Sequence, residues 1–186
     1  FVSLFRRMKD NDAKFSDYAF LACSLFLVTL AKPSYTIVFG AGAALMTGGY
    51  LVRTGSGDKL KQIVCLAAAV LPTILALLYQ YLDVFFHAGD AESGGIGLGM
   101  GLVWGEKCGN IPVAILMAGF FPFVTLLFQY RELRRNAGYI LAWLQYLCGI
   151  AMFYFLYEKG FRMQDANFQW GYCHGLFFLF LMSVIV

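Results

Sequence analysis

Glu158-Lys-Gly-Phe-Arg162-Met-Gln-Asp165-Ala-Asn167-Phe-Gln-Trp170 decides how the chain is read. It places two acids, two bases, several amides and a tryptophan between two apolar runs, residues 139–157 and 171–186. Apolar runs of near-spanning length on both sides of a short polar island mark a chain that leaves a hydrocarbon layer and re-enters it. The rest of the sequence is organised by asking on which side of that layer each polar segment falls.

The composition supports this reading. Of the 186 residues, 60% are hydrophobic and only 13% are charged, against about 25% charged in a soluble domain. Nineteen Phe and eleven Tyr in so short a chain need an apolar solvent. The fold class is therefore all-α: a polytopic transmembrane helix bundle with no soluble domain, residues 1–186 forming one transmembrane domain. Because the chain opens on Phe1 and closes on an apolar run, the expectation is a piece of a longer protein. The net charge of +3 comes without a basic patch interleaved with aromatics, which excludes nucleic acid as a partner and leaves membrane lipid. Five cysteines show no CxxC spacing. Cys23, Cys65 and Cys148 lie inside apolar runs as small core residues, whereas Cys108 and Cys173 fall on one side, where a pair is one reading.

Working outward from the island, six spans are predicted: residues 18–31, 37–52, 63–82, 111–128, 139–157 and 171–186. The first is short of the roughly 20 residues that a spanning helix needs. It is broken by Lys32-Pro33-Ser34-Tyr35, where proline disfavours helix before itself and starts a new one well. In the second, Gly40, Ala44 and Gly48 form a small-residue stripe suited to close helix packing in lipid. Pro72 predicts a kink in the third, and Pro122 lies in the fourth. The turn at residues 53–62 lacks the Gly-Lys-Ser/Thr ending of a phosphate loop.

Charge orients these spans. Ten of the fourteen Lys and Arg fall in segments 1–17, 53–62 and 129–138, and four in 32–35, 83–110 and 158–170. Positive residues collect on the cytoplasmic side, so the first set is inner and the second outer, with the N-terminal segment inside. The three outer loops are where chemistry is expected.

Each candidate site has an ordinary alternative. If helix continues past Tyr157, then Glu158, Arg162 and Asp165 share one face at i, i+4 and i+7. Glu158 and Asp165 are then candidate catalytic carboxylates, and Arg162 can take a phosphate in bidentate fashion. Asn167 and Trp170 complete a substrate-binding wall, with Trp170 able to stack on a sugar ring. The alternative is an interfacial loop with a weak surface ion pair and an aromatic-belt tryptophan. Lys32, at the end of a short span, is either held for an anionic partner such as a lipid phosphate or snorkels to the interface. His174, one turn into the last span, is a substrate-site candidate or a helix–helix hydrogen-bond partner. In the 83–110 loop, Asp83, His87, Asp90 and Glu92 have spacings that suit a divalent metal or acid–base work if helical, though no metal signature is matched and a solvated acidic loop is the alternative. The glycines at 94–101 are expected to form a flexible segment.

Two passages resemble bacterial polytopic enzymes of cell-surface polysaccharide assembly: the break Ala31-Lys32-Pro33-Ser34-Tyr35, and Tyr157-Glu158-Lys-Gly-Phe-Arg162 followed by Asn167-Phe168-Gln-Trp170-Gly171. They look like the C-terminal part of a membrane glycosyltransferase of the GT-C type or a related O-antigen polymerase. The first outer loop, which carries the catalytic Asp in GT-C enzymes, has no identifiable counterpart here. The resemblance implies sugar transfer from a polyprenyl-phosphate-linked donor at the outer leaflet of a bacterial cytoplasmic membrane. An outward carboxylate would take the acceptor's proton, and Lys32 and Arg162 would offset charge on the leaving lipid phosphate. Two other classes compete: a transporter or flippase for a lipid-linked or anionic solute, which fits the prolines in the spans, and a non-catalytic membrane subunit assembled through its small-residue stripe.

The layout has a direct test. In a chain otherwise freed of cysteine, Gln164→Cys reacts with a membrane-impermeant thiol reagent added to intact cells; reaction only after permeabilisation inverts the layout.

Overall fold

In hydrocarbon a backbone satisfies its own N–H and C=O groups or pays several kcal/mol for each, and the apolar runs accordingly become helices. The computed structural model describes residues 1–54, 59–86 and 95–186. Its helices are α1 (Val2–Lys9), α2 (Phe15–Ala31), α3 (Pro33–Thr54), α4 (Leu60–Phe86), α5 (Leu102–Lys107), α6 (Ile111–Ala118), α7 (Phe120–Arg135), α8 (Ala137–Phe155) and α9 (Asn167–Ile185). Strands β1 (Ile96–Leu98) and β2 (Leu156–Glu158) and a 3₁₀ turn, Gly160–Asp165, complete it.

Among the described residues four helical segments are long and apolar enough to cross a membrane: Pro33–Thr54, Leu60–Val84, Ala137–Phe155 and Arg162–Ile185. A fifth span forms if α6 and α7, bent by 62° at Gly119, are counted as one. The expectation of six differs from this at α2. Its 17 residues rise only about 26 Å at 1.5 Å per residue, short of the roughly 30 Å hydrocarbon core.

Polar caps set the helix boundaries. Asn110 Oδ1 accepts from the Val113 N–H at 3.1 Å and Asn136 Oδ1 from the Gly138 N–H at 3.0 Å, closing the first turns of α6 and α8. Asp17 reaches back to the Lys14 N–H at 3.0 Å and takes two 3.0 Å bonds from Arg7. Its carboxyl is held below the ordinary range, first by the Lys14 backbone N–H and then by Arg7. Proline at position 33 opens α3, so the break between α2 and α3 contracts to Lys32 alone. α4 runs through Pro72 as a single helix. Residues 129–135 of the basic segment extend α7 past a kink at Gln129, with Asn136 as the cap and Ala137 opening α8, and Gly55 to Asp58 of the turn at 53–62 lie outside the described residues. Among the described residues all five cysteines are free thiols.

The core lies between α8, α9 and α3. Tyr139, Tyr146 and Leu179 have no exposed surface, and Trp104 from α5 stacks on Phe153 at 4.6 Å. The helices touch here through glycine. A Cβ on Gly149 would meet the Tyr172 Cα at 2.8 Å, and one on Gly175 the Gln145 carbonyl oxygen at 2.9 Å. The small-residue contact thus falls on α8–α9. The stripe picked out on α3 makes no such contact, since Gly40 and Gly48 have open space where a Cβ would go. At the opposite edge α4 turns Leu71 and Leu75 outward, an apolar surface of the kind a lipid-facing helix presents.

The fold therefore depends on glycine at α8–α9. Gly175→Val lowers stability by about 1–3 kcal/mol through overpacking, read as a lower melting temperature in detergent. Gly49→Val, at a position with no atom within 4 Å, leaves it unchanged.

Candidate functional site

The helix does not continue past Tyr157. α8 ends at Phe155, and residues 156–158 pair antiparallel with β1 in the register Ile96↔Glu158, Gly97↔Tyr157, Leu98↔Leu156. Glu158, Arg162 and Asp165 are consequently not three positions on one helical face. The 83–110 segment, expected as a loop, supplies the end of α4, β1 and α5. Of its described glycines, Gly97, Gly99 and Gly101 serve packing, whereas Gly95, Gly105 and Gly109 have open space where a Cβ would go. A Cβ at Gly97 would lie 2.5 Å from the Tyr157 ring, and Gly101 sits at φ +69°, where it caps α5 in a left-handed conformation that costs glycine little.

Within this frame one carboxylate gathers two donors. Glu158, its side chain 11% exposed, accepts from Arg162 Nε at 3.2 Å and from Asn167 Nδ2 at 2.8 Å. Ala166, in the left-handed region at φ 48°, joins the 3₁₀ turn to α9 and aims Asn167 back at Glu158. A non-glycine residue held there costs on the order of 1–3 kcal/mol and persists only where its surroundings over-determine it; Ala166 is buried. Arg162 spends Nε on Glu158, and among the described residues its two terminal nitrogens have no partner, while its side chain is 31% exposed.

Lys32, at the α2–α3 break, holds Nζ over the Trp170 ring at 4.6 Å. That cation–π contact is worth about 0.5–1 kcal/mol at an exposed position, and Trp170 is 49% exposed. His174 packs one turn further on. Its Nδ1 lies 2.6 Å from the Trp170 carbonyl oxygen. A carbonyl only accepts, so Nδ1 carries the proton and donates it to that oxygen. Tyr35 covers the imidazole at 5.4 Å between ring centres.

Lys32, Glu158, Arg162 and Asn167 line one cavity of about 570 Å³, whose remaining walls are mostly apolar side chains of α3 and α4 such as Ile37, Leu77 and Val84. Asp165 is exposed at the end of the 3₁₀ turn and lies outside this lining. Trp170 and His174 are outside it as well, although Trp170 contacts the lining residue Lys32. Asp83 is exposed in the last turn of α4, while His87, Asp90 and Glu92 lie outside the described residues; among the described residues no group of three metal-ligating side chains comes together.

Two polar residues of the cavity were not singled out by sequence. Ser34 Oγ and Gln80 Oε1 line it without hydrogen-bond partners, although Gln80 Nε2 donates to the Thr29 carbonyl at 3.3 Å. The signal for Gln80 was available: an amide deep in an apolar helix marks a polar ligand or a helix–helix bond.

Chemically the cavity is an apolar slot with a cationic mouth. Its lining holds two cations and one carboxylate, and that carboxylate is already engaged by Arg162 and Asn167. Comparisons with protein-family models, with characterised proteins and with solved structures find no match.

The Glu158–Asn167 bond is the joint between β2 and α9. A hydrogen bond to a charged group contributes about 1.5–3 kcal/mol, so Asn167→Ala lowers unfolding stability in detergent by that order. Asn167→Asp costs more, because two carboxylates then face each other.

Proposed function

We propose that this domain binds a lipid-linked phosphate at the outer leaflet, as the donor-binding side of a glycosyltransferase-like protein of cell-surface polysaccharide assembly. The donor in this reading is a polyprenyl-phosphate-linked sugar, and the membrane is the bacterial cytoplasmic membrane, with the N-terminal segment inside. One observation carries the reading: an apolar cavity whose mouth presents Arg162 and Lys32 beside a carboxylate that is already satisfied. A soluble anion gains nothing from the apolar walls, and a neutral lipid nothing from the cations.

The roles follow from the geometry. Glu158 is a positioning residue: it fixes the Arg162 guanidinium through Nε and leaves the terminal nitrogens for phosphate oxygens. In transfer, the acceptor hydroxyl attacks the anomeric carbon and the bond from that carbon to the phosphate oxygen breaks, its electron pair leaving with the lipid phosphate. Arg162 and Lys32 offset the charge that grows there. The proton of the acceptor hydroxyl passes to a base that this cavity does not supply, because Glu158 is engaged and Asp165 is outside the lining.

A transporter or flippase for the same class of solute is the second reading. The 62° break between α6 and α7 favours it, as broken helices often build transport sites.

The readings separate in membranes containing the full-length protein and a polyprenyl-linked sugar. Arg162→Ala weakens lipid-phosphate binding about 10- to 100-fold, the equivalent of one lost charged hydrogen bond, and sugar transfer falls with it. Wild-type binding by Arg162→Ala overturns the site. Lipid movement between leaflets without sugar transfer selects the transporter.

A further inference from the structure

Three cations converge at the end of the bundle away from the cavity. From Pro33, beside the cavity, to Tyr50 the helix α3 rises about 26 Å at 1.5 Å per residue. Tyr50 therefore stands near the far side of a hydrocarbon core roughly 30 Å thick. There α1 closes the bundle. Leu4 and Met8 are buried against α2 and α4, and Phe5 against α3 and α8, which leaves Arg6, Arg7 and Lys9 exposed.

Lys9 and Lys59 share one aromatic ring. Their Nζ atoms lie 5.8 and 5.9 Å from the centre of the Tyr50 ring, and so within about 12 Å of each other. Lys59 is held in place by α1 and the turn after it. Its Nζ donates to the Met8 carbonyl at 3.2 Å and to Asn11 Oδ1 at 2.6 Å, and Gln62 Nε2 donates to the same oxygen at 3.1 Å. Asn11 sits in the left-handed region, at φ 57°, which asparagine tolerates better than most residues. Arg53 is exposed on α3, three residues past Tyr50 and on the same face.

The acceptors around Lys59 are all neutral. Among the described residues the ion pairs are Arg7–Asp17 and Arg162–Glu158, so Lys9, Arg53 and Lys59 meet no carboxylate there. Asp10 and Asp12 are exposed nearby and pair with none of the three. Like charges gathered in one place repel, and an anion among them reverses the sign of that interaction.

Apolar surface starts directly at these cations. Val52, next to Arg53, is 87% exposed, and Leu60, next to Lys59, is 63% exposed. A free anion gains nothing from that surface. A phospholipid covers both parts, its chains against Val52 and Leu60 and its phosphate against the ammonium and guanidinium groups.

We infer that Lys9, Arg53 and Lys59 form a site for the headgroup of an anionic phospholipid in the leaflet opposite the cavity, and that this lipid fastens α1 to α3 and α4. The inference stands apart from the phosphate reading at Arg162. The three cations come from α1, from the last turn of α3 and from the residue before α4, so one phosphate shared among them ties together three segments distant in sequence.

The test follows the melting temperature of the purified chain in uncharged detergent as dioleoylphosphatidylglycerol is added, with dioleoylphosphatidylcholine and inorganic phosphate as parallel probes. Phosphatidylglycerol raises the melting temperature and the other two do not. Lys9→Gln and Arg53→Gln each raise the concentration needed for half of the effect by about five-fold, the contribution of one cation at an anionic surface. Arg162→Ala leaves that concentration unchanged, and so does Arg135→Gln, an exposed cation at the end of α7. An equal loss in Arg135→Gln makes the effect one of general surface charge and overturns the site. A loss in Arg162→Ala, with none in Lys9→Gln or Arg53→Gln, places the lipid in the cavity and overturns it as well. An equal effect of phosphatidylcholine assigns the binding to apolar surface alone, and an equal effect of inorganic phosphate makes this a free-anion site; either result overturns the inference. Should Lys9→Gln fail to fold, Arg53→Gln decides by the same measurement.

Discussion

Helices α8 and α9 touch backbone to backbone. At Gly149 and Gly175 no side chain separates them, and the rest of the molecule is arranged around that approach. In lipid there is little hydrophobic force between helices, so association depends on close packing and on polar groups that find each other. Once α8 and α9 are fixed, the thirteen residues around the connection from one to the other have little freedom. β2 leaves α8, the 3₁₀ turn reverses the path, and α9 begins at Asn167. The Glu158 carboxylate then meets Arg162 and Asn167 because both ends of the connection are held.

Much of this was legible in the sequence. Apolar runs gave the helices, because a backbone in hydrocarbon has few other choices. Proline at position 33 opened α3, as a helix-starting proline does. The polar island was recognisable, and four of its chosen residues and neighbours, Lys32, Glu158, Arg162 and Asn167, line one cavity.

What was not legible involves partners distant in sequence. The strand at residues 156–158 exists because β1, some sixty residues earlier, lies beside it, and nothing local distinguishes Leu156-Tyr157-Glu158 from another helical turn. The stripe Gly40-Ala44-Gly48 has the right spacing for a helix contact, but spacing names a face and not its occupant. α9 also carries small residues, Gly171 and Gly175, and it is those that are used. The run at 95–101 looked flexible from composition, whereas Gly97 is required by the Tyr157 ring against it.

The small sheet also constrains how this chain can change. A strand alternates its faces, so a slip of one residue in pairing reverses every side chain on it. Only three residue pairs hold β2 to β1. One residue added to or lost between Phe155 and Glu158 would shift that register and turn Glu158 to the opposite face, releasing the Arg162 guanidinium. None of the cavity's charged side chains need be altered for this to happen. Segment length, rather than residue identity, thus sets how the Arg162 guanidinium is held, even where Lys32, Glu158, Arg162 and Asn167 are all retained.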